Sequence, residues 1–259
     1  MNGFFDPIVF HNIEIAMIAT AVIVFFCLLF ISPGYGMFYN SKWGPSINNK
    51  LGWILMEAPV LVCVLLFWLS SPRRCEPTLI ILLSPLLLHY LQRTLIFPML
   101  LNGKNRMAVV IMLMGMIFNV INAYLICGWL FYISPEGMYG PGWLTSPQFI
   151  AGLLIFIAGM VINLHSDHII RHLRKPGDRR HYIPHGGMFR YVSSANYLGE
   201  VTEWVGYAIL TWSLPGVIFA LWTFANLGPR ARSTYRRYSD EFGDEFLKLN
   251  RKYIIPFLW

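Results

Sequence analysis

The sequence predicts an all-α polytopic membrane protein with seven transmembrane helices in a single domain, residues 1–259. Three observations lead there. Hydrophobic residues make up 56% of the chain, charged residues only 13%, and the mean hydropathy is +0.53, a balance foreign to soluble globular proteins. The apolar residues fall in runs of about twenty, the length that crosses a bilayer. The basic residues collect between those runs, in an alternation that fits an odd number of crossings.

The first span is expected over about 9–32, ending at the breaker Pro33-Gly34-Tyr35-Gly36. With no basic segment ahead of it and no A-x-A site, it reads as a retained helix. The second covers about 51–70 and stops before Ser71-Pro72-Arg73-Arg74. The third, about 78–101, contains Pro85 and Pro98 and stops at Asn102-Gly103-Lys104-Asn105. The fourth and fifth cover about 107–133 and 148–170. From Asn196 to Gly228 the chain is again mostly apolar. A straight helix of that length would be about 50 Å long, against a hydrocarbon core of about 30 Å. It is expected to break at Ser213-Leu214-Pro215-Gly216, giving spans 196–212 and 215–237 with Pro215 near the start of the last.

Charge supports this count. With seven spans and the N-terminus outside, the cytosolic side carries Lys42, Lys50, Lys104 and Arg106, six basic residues from Arg171 to Arg190 and seven from Arg230 to Lys252. The outer side keeps only Arg73 and Arg74. Six spans would place the long basic loop or the basic tail outside, against the positive-inside rule. The net charge of +7 is therefore read as positive loops and contact with anionic ligands or membrane lipids, not as nucleic-acid binding. Cys27, Cys63, Cys75 and Cys127 have neither metal-ligand nor disulfide-framework spacing, and no metal is expected.

Polar residues inside apolar spans mark function by default. Asn163, Asp167, Arg171 and Arg174 recur at helical spacing along one face, and Asn196, Glu200, Glu203 and Tyr207 do so on the next span. Two polar stripes thus flank the basic loop 171–195, and a large, polar, anionic ligand is expected there. Glu57 in the second span and Tyr90 and Arg93 in the third form a second group, with Asn119 and Asn122 in the fourth. A buried Glu57 could simply pair with Arg93, and a tyrosine could be an interface anchor. Together, a carboxylate, a phenol and a guanidinium on adjacent helices could hold a donor against a substrate carbonyl. His165, His168, His172, His181 and His185 form no evident ligand set, and no dinucleotide fingerprint or Walker motif is present.

The segments L-H-Y-L-Q-R-T (88–94), G-M-V-I-N-L-H-S-D-H-I-I-R-H-L-R-K-P-G (159–177) and Y-I-P-H-G-G-M-F-R-Y-V-S-S-A-N-Y-L-G-E-V-T-E-W-V-G-Y-A (182–208), with the ending I-P-F-L-W, resemble the steroid 5α-reductase (3-oxo-5α-steroid 4-dehydrogenase) family. The likeness is weakest over the first 50 residues and most specific in the C-terminal half. It implies NADPH-dependent reduction of the C4–C5 double bond of 3-oxo-Δ4 steroids by hydride transfer to C5, and a bacterial member of the family. Carried over by position, Glu57 and Tyr90 match the catalytic pair. Arg93, Asn163, Asp167, Arg174, Tyr182, Asn196, Glu200, Arg230 and Tyr238 match the cofactor-binding set. After Gly228 the family pattern has histidines where this chain has Arg232-Ser233-Thr234-Tyr235. The loop 171–195 and the tail 238–259 are expected to close the cofactor site. The substrate implied is a steroid or sterol-like lipid, with no obligate protein partner. The location is a bacterial inner membrane, or the endoplasmic reticulum in a eukaryote. The alternatives are a membrane methyltransferase using S-adenosylmethionine, whose architecture resembles the C-terminal half, and a proton-coupled transporter relaying through Glu57, Asp167 and Glu200.

Overall fold

The computed structural model describes residues 5–31, 36–101, 105–175, 178 and 180–259. Among them the chain forms α1 (Pro7–Phe30), α2 (Asn49–Ser70), α3 (Pro77–Leu100), α4 (Val109–Ile133), α5 (Pro147–His172), α6 (Ala195–Thr211) and α7 (Leu214–Phe242). The fold is all-α as expected. The first five helices are long and apolar enough to cross a membrane, and the chain is an integral membrane protein. Helix α6 has 17 residues, and α7 runs from an apolar half into an arginine-rich half. The expected break between them falls at Trp212, which takes a left-handed conformation (φ 47°), and Ser213.

Local chemistry sets the helix starts. Asp6 caps α1 by accepting from the amides of Ile8 and Val9, Ser146 caps α5 through Phe149, and Ser213 caps α7 through Gly216. Each is followed by a proline in the first turn, where the missing N–H costs nothing. Pro98 acts later in α3. It has no N–H for the carbonyl four residues back, and the turn Gln92–Ile96 widens into a π-helix in which the Phe97 amide reaches the Gln92 carbonyl. At Pro85 the Ser84 hydroxyl donates instead to the Ile81 carbonyl at 2.8 Å.

The tightest packing joins α5 to α6, which run antiparallel. Gly152 and Gly159 on α5 face Gly206 and Gly199 on α6, so the backbones nearly touch. A Cβ on Gly152 would lie 2.3 Å from the Leu210 nitrogen, and one on Gly206 would lie 2.3 Å from the Phe156 nitrogen. Small residues at such a seam let membrane helices associate by close backbone approach. Helix α1 packs along α7 in parallel, with the Trp222 indole N–H donating to the Met17 carbonyl at 2.8 Å. The core lies between α2, α3, α4, α6 and α7, around Leu83, Leu86, Ile126, Phe131, Trp204 and Phe219.

Two connections are tied down. Ser46–Asn48 pairs antiparallel with Arg106–Ala108, joining the loops before α2 and α4. The segment after α6's predecessor joins the C-terminal tail: the Ser193 amide donates to the Lys252 carbonyl at 2.8 Å, and the Arg251 guanidinium donates to the Pro184 carbonyl at 2.8 Å.

Several boundaries differ from expectation. The last helix runs to Phe242, so Tyr238 belongs to it and not to an irregular tail. Helix α5 ends at His172, so Arg174 lies beyond the helix and does not continue the Asn163–Asp167 face. Of the motifs singled out above, Pro33-Gly34-Tyr35, Asn102-Gly103-Lys104, Pro176, Gly177 and Arg179 lie outside the described residues.

Candidate functional site

Glu57, Tyr90 and Asn119 form one hydrogen-bonded unit across three helices. The Tyr90 hydroxyl on α3 donates to Oδ1 of Asn119 on α4 at 3.0 Å. The Asn119 amide donates in turn to Oε2 of Glu57 on α2 at 3.0 Å and to the Met56 carbonyl at 2.8 Å. All three side chains are buried. The sequence brings Glu57 and Tyr90 into one site as expected, but Asn119 stands between them. Its presence in the fourth span was legible; its role as the bridge was not.

Three residues further along α3, the π turn turns Arg93 toward α5 and α6. Its guanidinium lies 3.6 Å from Oδ2 of Asp167 and 3.8 Å from Oε2 of Glu200, ion-pair distances too long for hydrogen bonds. The rings of Trp53 and Phe97 sit 4.8 and 4.3 Å from it. Cation–π contact on an apolar wall offsets part of the cost of burying this charge. Asn163 completes the cluster, its amide donating to the Asn196 carbonyl at 2.9 Å and lying 3.5 Å from Glu200. The glycine seam places it there, since a Cβ on Gly199 would meet the Asn163 nitrogen at 2.3 Å. The two polar stripes therefore face each other, and five of the expected cofactor residues (Arg93, Asn163, Asp167, Asn196 and Glu200) meet in one cluster.

The other four lie toward the end of the bundle that carries the loop after α5 and the C-terminal tail. Arg174 is exposed just past α5. The Tyr182 hydroxyl donates to Oδ2 of Asp178 at 2.6 Å, and Arg180 stacks at 5.4 Å from the Tyr182 ring. Hydrogen bonds from Arg180 and then from Tyr182 hold the Asp178 carboxyl well below the ordinary carboxylate range. Arg230 is buried with its guanidinium 5.2 Å from the Tyr197 ring. Tyr238 is buried against Ile183 and Phe246, with the charges of Arg174 and Arg251 in reach. The loop and the tail thus pack together.

Two buried groups escaped the sequence reading. His89 bonds through Nδ1 to Oε1 of Glu203 at 2.8 Å, and both are buried in mid-bundle. The signal was a histidine in an apolar third span, beside Tyr90. Glu14, a buried carboxylate in α1, bonds to His11 at 3.2 Å.

Fold and site define an integral membrane enzyme that keeps a hydrogen-bonded carboxyl–amide–phenol unit and an ion cluster inside a helical bundle. The family description of 3-oxo-5-alpha-steroid 4-dehydrogenase matches residues 105–259. The mouse 3-oxo-5-alpha-steroid 4-dehydrogenase 1 is 40% identical over 241 residues, 92% of each chain. The human protein of that name is 42% identical over 215 residues, 82% of this chain and 81% of the relative. Steroid 5-alpha-reductase DET2 of Gossypium hirsutum is 37% identical over 258 residues, 98% of this chain and 99% of the relative. The chain belongs to the 3-oxo-5-alpha-steroid 4-dehydrogenase family, and it is an oxidoreductase.

Proposed function

We propose that the protein reduces the C4–C5 double bond of 3-oxo-Δ4 steroids to 5α-reduced 3-oxo steroids with NADPH, as a single seven-span domain with its N-terminus outside and its tail cytosolic. The observation that carries the reading is the Tyr90–Asn119–Glu57 chain, buried in an apolar bundle beside the Arg93 cluster. The family assignment does not favour the methyltransferase and transporter alternatives.

The polar cluster fits a dinucleotide. Among the described residues, Oδ2 of Asp167 and Nη1 of Arg171 are buried with no hydrogen-bond partner, although Oδ2 lies 3.6 Å from the Arg93 guanidinium. Leaving such a group unmet costs about 1–3 kcal/mol, more for a charged one. Ribose hydroxyls and a carboxamide offer donors to the carboxylate, and phosphates offer acceptors to the guanidinium. Arg93, Asn163, Asp167, Asn196 and Glu200 would hold the buried part. Arg174, Tyr182, Arg230 and Tyr238 would line the outer part, with the loop 171–195 and tail 238–259 closing over it.

NADPH, when bound, supplies the hydride that adds to C5. The electron pair of the double bond moves toward the 3-oxo oxygen to give an enolate, and C4 then takes a proton supplied by solvent after the hydride has been delivered. Rotation about the Tyr90 C–O bond turns its proton from Asn119 to that oxygen, so the donor strengthens its bond as charge develops. Asn119 holds Glu57 and Tyr90 in register, and Glu57 would orient the phenol or, as the acid, donate to the same oxygen. The apolar walls suit a steroid and exclude water from the reacting atoms. The membrane would be the inner membrane of a bacterium or the endoplasmic reticulum of a eukaryote.

The test is single-turnover reduction of testosterone by purified protein with NADPH, with S-adenosylmethionine binding measured in parallel. Formation of the 5α-reduced ketone is expected. Absence of reduction with preferential S-adenosylmethionine binding would overturn the reading.

A further inference from the structure

We propose that His89 and Glu203 form a positioning pair that sets the rotation of α3 and thereby the place of the Tyr90 hydroxyl; this rests on the function proposed above. Consecutive helical residues point about 100° apart. His89 accordingly reaches α6, with Nδ1 at 2.8 Å from Oε1 of Glu203, while Tyr90 reaches Asn119 on α4. The segment carrying both lies between two irregularities, Pro85 and the π turn Gln92–Ile96. Neither provides the regular hydrogen-bond ladder that would fix rotation from its own side. Side-chain ties must do so.

The His89 tie has a firm anchor. Both side chains are almost wholly buried, at 8% and 1% exposure. Gly159 of α5 presses directly on the Glu203 backbone, where a Cβ would lie 2.2 Å from the nitrogen. Glu203 therefore hardly moves. The His89 ring also stands edge-on to Tyr90 at 5.2 Å and to Trp204 at 4.5 Å. Trp204 lies 3.9 Å from Phe219, whose ring is parallel to that of Tyr90 at 6.5 Å. The phenol ring is thus boxed by His89, Trp204 and Phe219, and a hydrogen bond fastens the His89 wall to α6, which also carries Trp204. Arg93 ties α3 to Asp167 and Glu200 one turn further on, so loss of the His89 bond loosens the helix beside the phenol itself, and the Tyr90 hydroxyl moves away from the ketone.

The experiment compares His89→Asn, whose amide nitrogen stands where Nδ1 does, with His89→Gln, whose amide nitrogen stands nearer Nε2. Both are polar and smaller than or similar to the native ring. Single-turnover testosterone reduction, NADPH affinity and thermal unfolding are measured for each, alone and combined with Tyr90→Phe. We expect His89→Gln to slow reduction by about 10-fold or more with NADPH affinity unchanged, and His89→Asn to recover most of the rate. In the Tyr90→Phe background His89→Gln should cost less than about 2-fold, because the hydroxyl it positions is gone. Full additivity, or equal rates for Asn and Gln, would overturn the positioning role and leave the proposed function standing. A wild-type protein that does not reduce the steroid would take both.

Discussion

Gly159 and Glu203 approach so closely that any side chain on the glycine would collide with the glutamate's own backbone, 2.2 Å from its nitrogen. The carboxylate that holds His89 is thereby placed by a residue with no side chain, on a third helix.

Gly159→Ala should therefore force α5 and α6 apart. Overpacking of a tight interior costs about 1–3 kcal/mol, and the displaced backbone carries Glu203 with it. A lower Tm in detergent and slower steroid reduction are expected together. Gly142→Ala is the control: nothing lies within 4 Å of its added methyl, so it should stay within about 0.5 kcal/mol of wild type.

Tyr90→Phe keeps the boxed ring and removes the donor. Loss of one donor to a developing oxyanion lowers the rate by about 10²–10³. Asn119→Leu should also impair turnover, because it removes the bridge to Glu57 at 3.0 Å. Both variants should bind NADPH as wild type does in a titration; a wild-type rate for Tyr90→Phe would remove the phenol from the chemistry.

Asp167→Ala should act the other way. It takes one carboxylate from beside Arg93 and a predicted partner from the cofactor, so NADPH binding should weaken by at least about 10-fold. At saturating cofactor the steroid should still be reduced. Isothermal titration against single-turnover rates separates the two effects.

Asp178 gives a pH dependence whose sign is fixed. Its carboxyl is depressed in the folded loop by Arg180 and Tyr182, so its contribution to loop order is present above the ordinary aspartate value of about 4. That contribution is lost as pH falls through the lower, folded value. Hydrogen exchange of residues 180–182, corrected for intrinsic rates, should show protection steady from neutral pH down to about 5 and falling on the acid side of 4. In Tyr182→Phe, which lacks the 2.6 Å bond, the fall should be smaller and be complete at higher pH.

Topology follows from the charge distribution. In a cysteine-free background, single cysteines at Asn2 and at the exposed Phe257 should react with an impermeant reagent from opposite sides of sealed vesicles. Reaction of both from one side would require an even number of spans.

Much of this architecture is written in one-dimensional patterns. Apolar run length marks the long helices, Pro215 marks the start of the last, and the spacing of Asn163, Asp167, Asn196 and Glu200 announces two stripes that do face each other. Signals that depend on pairing across helices are less legible. Gly152, Gly159, Gly199 and Gly206 are all visible at seven-residue intervals, yet only the antiparallel register shows that they interlock. Asn119 and His89 were visible too, as polar residues in apolar spans, but a single strand of sequence does not say which neighbour each will meet. Arg174 keeps the helical spacing in the sequence, but the helix stops at His172, so the spacing no longer places it on that face.

The bond from Trp222 to Met17 spans 205 positions, and with it α1 is matched to a helix made long after it, α7. During translation α1 is made well before α7, and the Met17 carbonyl has to wait for the Trp222 indole that it accepts from. The α1–α7 contact therefore shuts like a clasp, only when α7 arrives. A chain cut short before Trp222 would keep the contacts of Phe5 and Phe10 with Tyr124 but lack the tie that fastens α1 to α7.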